Sequence, residues 1–387
     1  MRKIAIIMLG LVVAMTMNAG VVTVEQALQK AQQFFNHHKA QHTHRATSAI
    51  DTPTPKLVYV GTMSSLSDMT NSEQANENSR RASDSKESQD SPCFYVFNTS
   101  KNSFVIVSGD DNVDDILGYS DASAFTADSI PCCMRYLLAS YAKEIETCRR
   151  TGAIHRTQTY NDRQVIPPML TCHWNQRGPY NLLTEGNVTG CVATAMAQVM
   201  YYWKWPYQTK QVMPNTTRLS DKELPVTTFE WGLMKDNYEN NDMSASGYAV
   251  AKLMKYCGVS VNMDYREDES SASMNTVNMQ KYFDYSTSLH ALAIDSYTYY
   301  QLDSIIYNEM KSKRPVLFNV PRHEVVCDGY DGVFYHFNWG WGGDHDGYFR
   351  LSIAYGTHII GIQPAGNDVN PNEGKAKALR GHLHNHV

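Results

Sequence analysis

The sequence lacks the features that mark several functional classes of protein. Its 387 residues contain eight cysteines, but no Cys-x-x-Cys pair and no Cys/His set at zinc-ligand spacing. The formal net charge is −5 and only 19% of the residues are charged, so we expect no basic surface that would bind a nucleic acid. Beyond the N-terminus, no apolar run reaches the roughly 18 residues that a membrane helix needs. These absences predict a globular protein with no metal, no cofactor and no nucleic-acid partner.

Cysteine is also too sparse for a scaffold held together by disulfides. The sequence leaves open individual disulfides among Cys93, Cys148, Cys172 and Cys257. Hydrophobic residues make up 42% of the chain, which at this length is enough for two or three domains with cores of their own.

Residues 1–19 have the composition of a secretory signal peptide. Arg2 and Lys3 form a basic start, residues 4–13 are apolar, and Ala19 provides the small residue of a cleavage site. The apolar run is shorter than a membrane span. We therefore expect an exported protein that is secreted, or held at the cell surface or in the periplasm, with no membrane span once the signal is removed.

Two polar segments divide the rest of the chain. Residues 62–92 are rich in Ser, Asn, Asp and Glu and have few apolar residues, which predicts a disordered insertion. Residues 150–163 are polar and weakly patterned, and we place a domain boundary there. We call residues 20–163 the N-terminal region and residues 164–387 the C-terminal region.

The two regions have different predicted elements. In the N-terminal region, helical patterns near residues 22–35 and 131–149 flank short strand patterns, which indicates a small α+β unit. The C-terminal region begins with a helical part and changes after Arg314 to a run of antiparallel strands with turn signals such as Asp331-Gly332.

One helix of the C-terminal region begins with a cysteine. From residue 191 to 205, the apolar residues recur at the spacing of a helix with one buried face, and Pro206 ends it. A thiol in the first turn of a helix lies at the positive end of the helix dipole, which favours the nucleophilic thiolate. Cys191 is therefore a candidate nucleophile, although a buried structural cysteine is the common alternative.

A histidine and an asparagine follow on later strands. His323 and Asn338 lie about 130 to 150 residues after Cys191, which is the order and spacing of a papain-type thiol protease. In that chemistry Cys attacks a carbonyl, His accepts and returns the proton, and a third group holds the imidazole. Transglutaminases and amidases use the same residue types, so an acyltransferase stays an alternative.

Several motifs resemble those of the streptopain-like cysteine peptidases. They are residues 174–181 ahead of 189–195, His323 leading into 328–332, and 335–343 followed by 346–351, with 95–98 and 104–111 in the N-terminal region. The resemblance implies a papain-like α+β catalytic domain preceded by a smaller α+β pro-domain. It also implies an exported endopeptidase made as a zymogen, with proteins or peptides as substrates and its own pro-domain as an intramolecular inhibitor.

The resemblance also carries roles to individual residues. It implies that Cys191 is the nucleophile, that His323 is the general base, and that Gln176 supplies a side chain to the oxyanion hole beside the Cys191 N–H. Asn338 occupies the place of the third residue of a papain-type site. In the family the next residue, here Trp339, packs on the catalytic His, so which of the two orients His323 stays open. We expect Trp341 to be a packing aromatic.

The sequence departs from the family at the base. Where the family commonly has Gly-Gly-His-Ala, this chain has Pro321-Arg322-His323-Glu324. Neighbouring residues of a strand point to opposite faces, so Arg322 and Glu324 need not touch the imidazole. We expect an altered substrate preference with activity retained. A degenerate family member that acts as a binding or inhibitory protein is the alternative.

Overall fold

The computed structural model describes residues 20–42, 54–66, 90–100, 102–289, 291–351 and 358–361. The predicted signal peptide and residues 67–89 of the predicted insertion lie outside them. The helices are α1 (Val24–His42), α2 (Cys132–Thr151), α3 (Cys191–Trp203), α4 (Ala245–Ser260), α5 (Thr276–Phe283) and α6 (Tyr299–Lys311). The strands are β1 (Lys56–Gly61), β2 (Phe94–Ser100), β3 (Ser103–Ser108), β4 (Ile116–Ser120), β5 (Met213–Pro214), β6 (Glu223–Leu224), β7 (Leu292–Ala293), β8 (Val316–Val320), β9 (His323–Tyr330), β10 (Tyr335–Asn338), β11 (Gly347–Phe349) and β12 (His358–Gly361).

Ten of the strands form one antiparallel sheet that runs through both regions. Its order is β1-β2-β3-β4-β11-β10-β9-β8-β12-β7. The two regions meet where β4 pairs with β11, with Tyr119 opposite Tyr348 and Gly118 opposite Phe349. The α+β class and the predicted antiparallel strands are confirmed, but two separate units were expected, and the shared sheet was not.

The N-terminal region is a four-stranded half-sheet with a helix on each side. The predicted capping box starts α1, because the Thr23 backbone N–H donates to Gln26 Oε1 at 2.8 Å and the Gln26 N–H donates back to Thr23 Oγ1 at 3.3 Å. The prediction of disorder over residues 62–92 is wrong at its start. Residues 63–66 form a helical turn, and Leu66 is buried against the core beneath α2.

In the C-terminal region, helix α3 is buried on nearly all sides between α4 and strand β9. Such a helix is apolar all round because it lies inside a core. Strands β8 and β9 form a hairpin, and its two faces pack into different hydrophobic cores. Leu317 and Val326 pack on the α3 side, whereas Phe318 and Val325 pack on the side of α2 and α6.

Two further findings concern the described residues as a whole. None of their helices combines the length and the apolar character needed to cross a membrane. The seven cysteines whose side chains are described are all free thiols, so the disulfides that the sequence left open do not occur among them.

Candidate active site

Cys191 is the first residue of α3 and opens onto two cavities. Gly190 before it has φ 83°, and a Cβ there would lie 2.6 Å from the Met263 sulfur, so only glycine allows this sharp entry into the helix. Both cavities are also lined by His323, and their volumes are about 760 Å³ and 410 Å³. The structure therefore brings the predicted nucleophile and the predicted base to one cleft.

The His323 ring is oriented by a backbone carbonyl. Its Nε2 lies 2.8 Å from the carbonyl oxygen of Trp339, and only a protonated Nε2 can donate that bond. This hydrogen bond fixes the neutral tautomer and leaves Nδ1 as the proton acceptor. A base held in one tautomer is what nucleophilic catalysis requires of its histidine.

The aromatic ring that packs on His323 belongs to Trp341. The two ring centroids are 4.8 Å apart at an angle of 34°, and Trp339 stacks in turn on Trp341 at 5.4 Å. The expectations are corrected on both counts. Trp339 acts through its carbonyl oxygen and not through its ring, and Trp341 is not only a packing residue of the loop. Both tryptophans lie in one glycine-rich loop, so the sequence alone could not tell which would reach the histidine.

The sequence left open whether Asn338 or Trp339 orients His323, and the Asn338 side chain bonds to other groups. Its Nδ2 donates to the Cys172 carbonyl at 3.0 Å, and its Oδ1 accepts from the Gly340 N–H at 3.0 Å. The buried side chain therefore stabilises the loop that carries the two tryptophans, and the backbone of the next residue takes its place at the imidazole.

The predicted oxyanion residue Gln176 is at the same cleft, and its role there stays a prediction. It lines the smaller cavity together with Cys191 and His323. Its own carbonyl accepts from the Thr189 N–H at 3.1 Å, which fixes the Gln176 loop to the segment that enters α3. The prediction assigns the side-chain amide and the Cys191 N–H at the helix start as donors to a developing oxyanion.

Burial keeps both reactive groups neutral in this form of the protein. It raises the pKa of the Cys191 thiol to about 12, and the nearby Glu324 carboxyl adds to the effect while backbone N–H groups oppose it. Burial also lowers the pKa of His323 to about 4, although the bond to Trp339 partly offsets this. The thiolate and imidazolium forms are therefore scarce at neutral pH.

Comparisons with known proteins identify the family of this chain. Residues 174–349 match the peptidase C10 family, and residues 19–145 match the Spi protease inhibitor family. Streptopain of Streptococcus pyogenes is 31% identical over 323 residues, which cover 70% of this chain and 80% of streptopain. The chain belongs to the peptidase C10 family. It is a cysteine endopeptidase with an N-terminal region like the Spi inhibitor. This favours the predicted endopeptidase over the two alternatives, an acyltransferase and a degenerate binding protein.

Two more proteins are similar to this chain. The thiol protease/hemagglutinin PrtT of Porphyromonas gingivalis is 29% identical over 325 residues, which cover 71% of this chain and 37% of PrtT. A solved fragment of Prevotella intermedia prointerpain A is 26% identical, with a TM-score of 0.63, and the match covers 71% of this chain and 96% of the fragment. The joint fold of an inhibitor-like region and a C10 domain is therefore that of a prointerpain.

The inhibitor-like region reaches the C10 site. Ser129, Pro131 and Cys133 line the smaller cavity opposite Cys191 and Gln176. All three belong to the segment that leads into α2 or to its first turn. The N-terminal region thus forms part of the wall of the cavity that contains Cys191.

His345 lies between the N-terminal region and Trp341, the tryptophan that packs on His323. Its buried ring lies 6.4 Å and 6.3 Å from the rings of Phe104 and Phe125 of the N-terminal region, and 6.1 Å from Trp341, which packs on His323. Within the described part of the chain, neither ring nitrogen has a hydrogen-bond partner. Burial lowers its pKa below the usual value near 6.5, and Asp344 and Asp346 only partly oppose this.

We expect acid to loosen the contact of the N-terminal region through His345. In the docked form the N-terminal region covers the cleft, and the pKa of His345 is lowered; in the open form it has moved away, and the imidazole has its usual pKa. The docked form therefore loses stability as the pH falls below about 6.5. Its population relative to the open form drops by at most about tenfold per pH unit. The measurement is the alkylation rate of Cys191 in the uncleaved precursor, expressed as the ratio of wild type to His345→Asn. Asparagine tolerates the left-handed backbone at this position, where φ is 64°, and does not titrate. The ratio of the wild-type rate to the His345→Asn rate should rise from pH 7.5 to pH 5. A ratio that does not change with pH would contradict the role of His345 in this acid response.

Proposed function

We propose that the protein is an exported cysteine endopeptidase made as a zymogen, in which Cys191 and His323 are the catalytic pair. The observation that carries the proposal is the Nε2 bond of His323 to the Trp339 carbonyl, which directs the other ring nitrogen to serve as base in the cleft of Cys191. A thiol at a helix start and a tautomer-fixed imidazole in one cleft are the parts of a thiol protease.

The proposed reaction has two steps. Cys191 passes its thiol proton to His323 Nδ1, and its sulfur attacks the peptide carbonyl. The product is a tetrahedral intermediate, whose oxyanion accepts hydrogen bonds from the Cys191 N–H and the Gln176 side chain. His323 then gives its proton to the leaving amine, and the C–N bond breaks to leave a thioester. In the second step a water molecule, deprotonated by His323, attacks the thioester, and the acid product leaves as the thiol is restored.

In this proposal the N-terminal region inhibits the enzyme through desolvation as well as by blocking the cleft. Its removal exposes the smaller cavity to water because Ser129, Pro131 and Cys133 leave. Solvation favours charged groups, so the pKa of Cys191 falls and that of His323 rises until the thiolate-imidazolium pair forms. The proposed domain limits are 1–19 for the signal, 20–163 for the inhibitory pro-domain and 164–387 for the peptidase, and the signal composition of residues 1–19 supports export.

An epoxide-type inactivator of thiol proteases tests the proposal. We expect a single adduct, located on Cys191 by peptide mass, when the processed protein is treated, and labelling at least about a hundredfold slower in the uncleaved precursor, because its thiol pKa of about 12 leaves little thiolate. The other described cysteines of the C-terminal region, Cys172, Cys257 and Cys327, are buried free thiols and serve as internal controls in the processed protein. Equal labelling of several cysteines, or none on Cys191 in a folded processed protein, would contradict the catalytic assignment.

A further inference from the structure

The larger cavity beside Cys191 has a strongly charged wall. It lies between the segment 264–272 and the β8–β9 turn, and it shares part of its lining with the smaller cavity, which Gln176 lines. Four acidic residues and two arginines line it: Asp264, Glu267, Asp268, Glu269, Arg266 and Arg322. The lining therefore has an excess of two negative charges at neutral pH.

The ion pairs in this wall leave some of the acids unmatched. Asp264 pairs with Arg218 at 2.9 Å and with Arg266 at 2.8 Å, and Arg322 lies 3.4 Å from Glu269. Among the described residues, the side chains of Glu267 and Asp268 have no such pair, and both are exposed at the cavity. The cavity thus attracts cations before any specific contact is made.

Glu324 accepts a hydrogen bond from Asn319, a residue of the cavity lining, and has one carboxyl oxygen to spare. Glu324 is 1% exposed, and its Oε2 accepts from Asn319 Nδ2 at 2.7 Å. Its Oε1 has no hydrogen-bond partner in the described part of the chain. Asn319 lines the cavity and lies directly opposite Glu324 across the β8–β9 pair, so both side chains are on the face that meets α3 and Cys191.

A buried carboxyl with one unpaired oxygen is costly to keep unless something else uses it. Burial raises the pKa of Glu324 to about 7, despite the bond from Asn319. A cation brought into the cavity would ionise Glu324, pair with the free oxygen and satisfy the group. The two arginines that line the cavity are directed elsewhere, because Arg266 pairs with Asp264 and Arg322 with Glu269.

We propose that Glu324 is a specificity-determining residue that receives the guanidinium or ammonium group of a substrate Arg or Lys side chain. The inference rests on the proposed function, since it takes the cleft of Cys191 as the substrate cleft. Cys191 and Asn319 line one cavity, and an extended peptide advances only about 3.3 Å per residue. The basic residue therefore lies within two positions of the cleaved bond.

The test uses peptides that carry arginine or its neutral isostere citrulline at each of the two positions on either side of one cleavable bond. For the processed wild-type enzyme, we expect kcat/KM to be about 10- to 100-fold higher with arginine at one of these positions, the effect of a hydrogen bond to a charged group. In Glu324→Gln this ratio should fall to about 1 to 3. Active-site titration with the epoxide normalises each variant and shows that it is folded.

Glu269→Gln is the matched control, because it makes the same chemical change in the same cavity at an exposed carboxylate. The arginine/citrulline ratio of this variant should stay within about threefold of wild type. A ratio near 1 for the wild type, or an equal loss in both variants, would overturn the role of Glu324 while leaving the peptidase proposal intact. A processed wild type that neither reacts at Cys191 nor cleaves any peptide would instead overturn the proposed function on which this inference rests.

Discussion

The Cys191→Ala variant is expected to accumulate as an intact precursor and to lose at least about a thousandfold in kcat/KM on peptide substrates. The physical reason is that no other group at the head of α3 can form the thioester, and loss of a nucleophile removes all the catalysis that depends on it. The side chain is partly exposed and small, so alanine should not disturb the core. Purified precursor is incubated and followed by electrophoresis, and residual activity is measured after the N-terminal region has been removed by an added protease.

Cys133→Ala is the matched control for this experiment. Cys133 lines the same cavity, but from the N-terminal region that leaves on activation. Its replacement should leave the activity of the processed enzyme unchanged. Processing of the Cys191→Ala precursor at the wild-type rate, with no other protease present, would show that the nucleophile lies elsewhere.

The position of Cys191 could be predicted because its signals are local. Gly190 permits a sharp turn, the apolar spacing defines a helix, and the thiol begins that helix, all within about fifteen residues of sequence. His323 required only the recognition of a strand in the correct order along the chain. The prediction that Glu324 need not touch the imidazole is also confirmed, since alternation places its side chain on the other face, against Asn319.

The groups around the histidine could not be predicted, because they depend on how a loop folds in space. Asn338 has the residue type and spacing of a papain-type partner, but it bonds to Cys172 and Gly340 instead. The orienting group is a backbone carbonyl, which every residue possesses and no sequence pattern reveals. The same reasoning applies to the sheet, since pairing of β4 with β11 joins strands more than 200 residues apart, and alternation alone does not specify a partner.

The attachment of the N-terminal region has a buried ionic centre beside that strand junction. Arg350, which is 3% exposed, follows β11 in the C10 domain. Its Nη1 bonds to Asp114 Oδ2 at 2.9 Å, and its Nη2 bonds to Glu144 Oε1. Both carboxylates belong to the N-terminal region, and Tyr141 of that region donates its hydroxyl to the Arg350 carbonyl at 2.7 Å. The guanidinium therefore loses its partners when the region departs.

The double variant Asp114→Asn/Glu144→Gln is expected to open this attachment. It leaves a buried guanidinium without a counter-charge, which costs about 3–5 kcal/mol in comparable sites. Each 1.4 kcal/mol is a factor of ten, so the open form should increase by about 100- to 4000-fold. The measurement is the alkylation rate of Cys191 in the uncleaved precursor. The processed enzyme of the variant should match wild type, because both substituted residues lie in the segment that is removed.

Acid should reproduce part of this effect in the wild type. Burial opposes ionisation of Glu144, but His155 and Arg350 outweigh it and hold its pKa below the usual value of 4.5. A lowered carboxyl pKa contributes stability that is present above pH 4.5 and is lost as the pH falls through the lowered value.

The control for the double variant is Asp111→Asn. It removes a partly exposed ion pair with Lys30 inside the N-terminal region and should change the opening rate by less than about fivefold. If the double variant opened no faster than this control, the charges around Arg350 would not hold the two regions together, and the β4–β11 pairing and the contacts of His345 would have to do so.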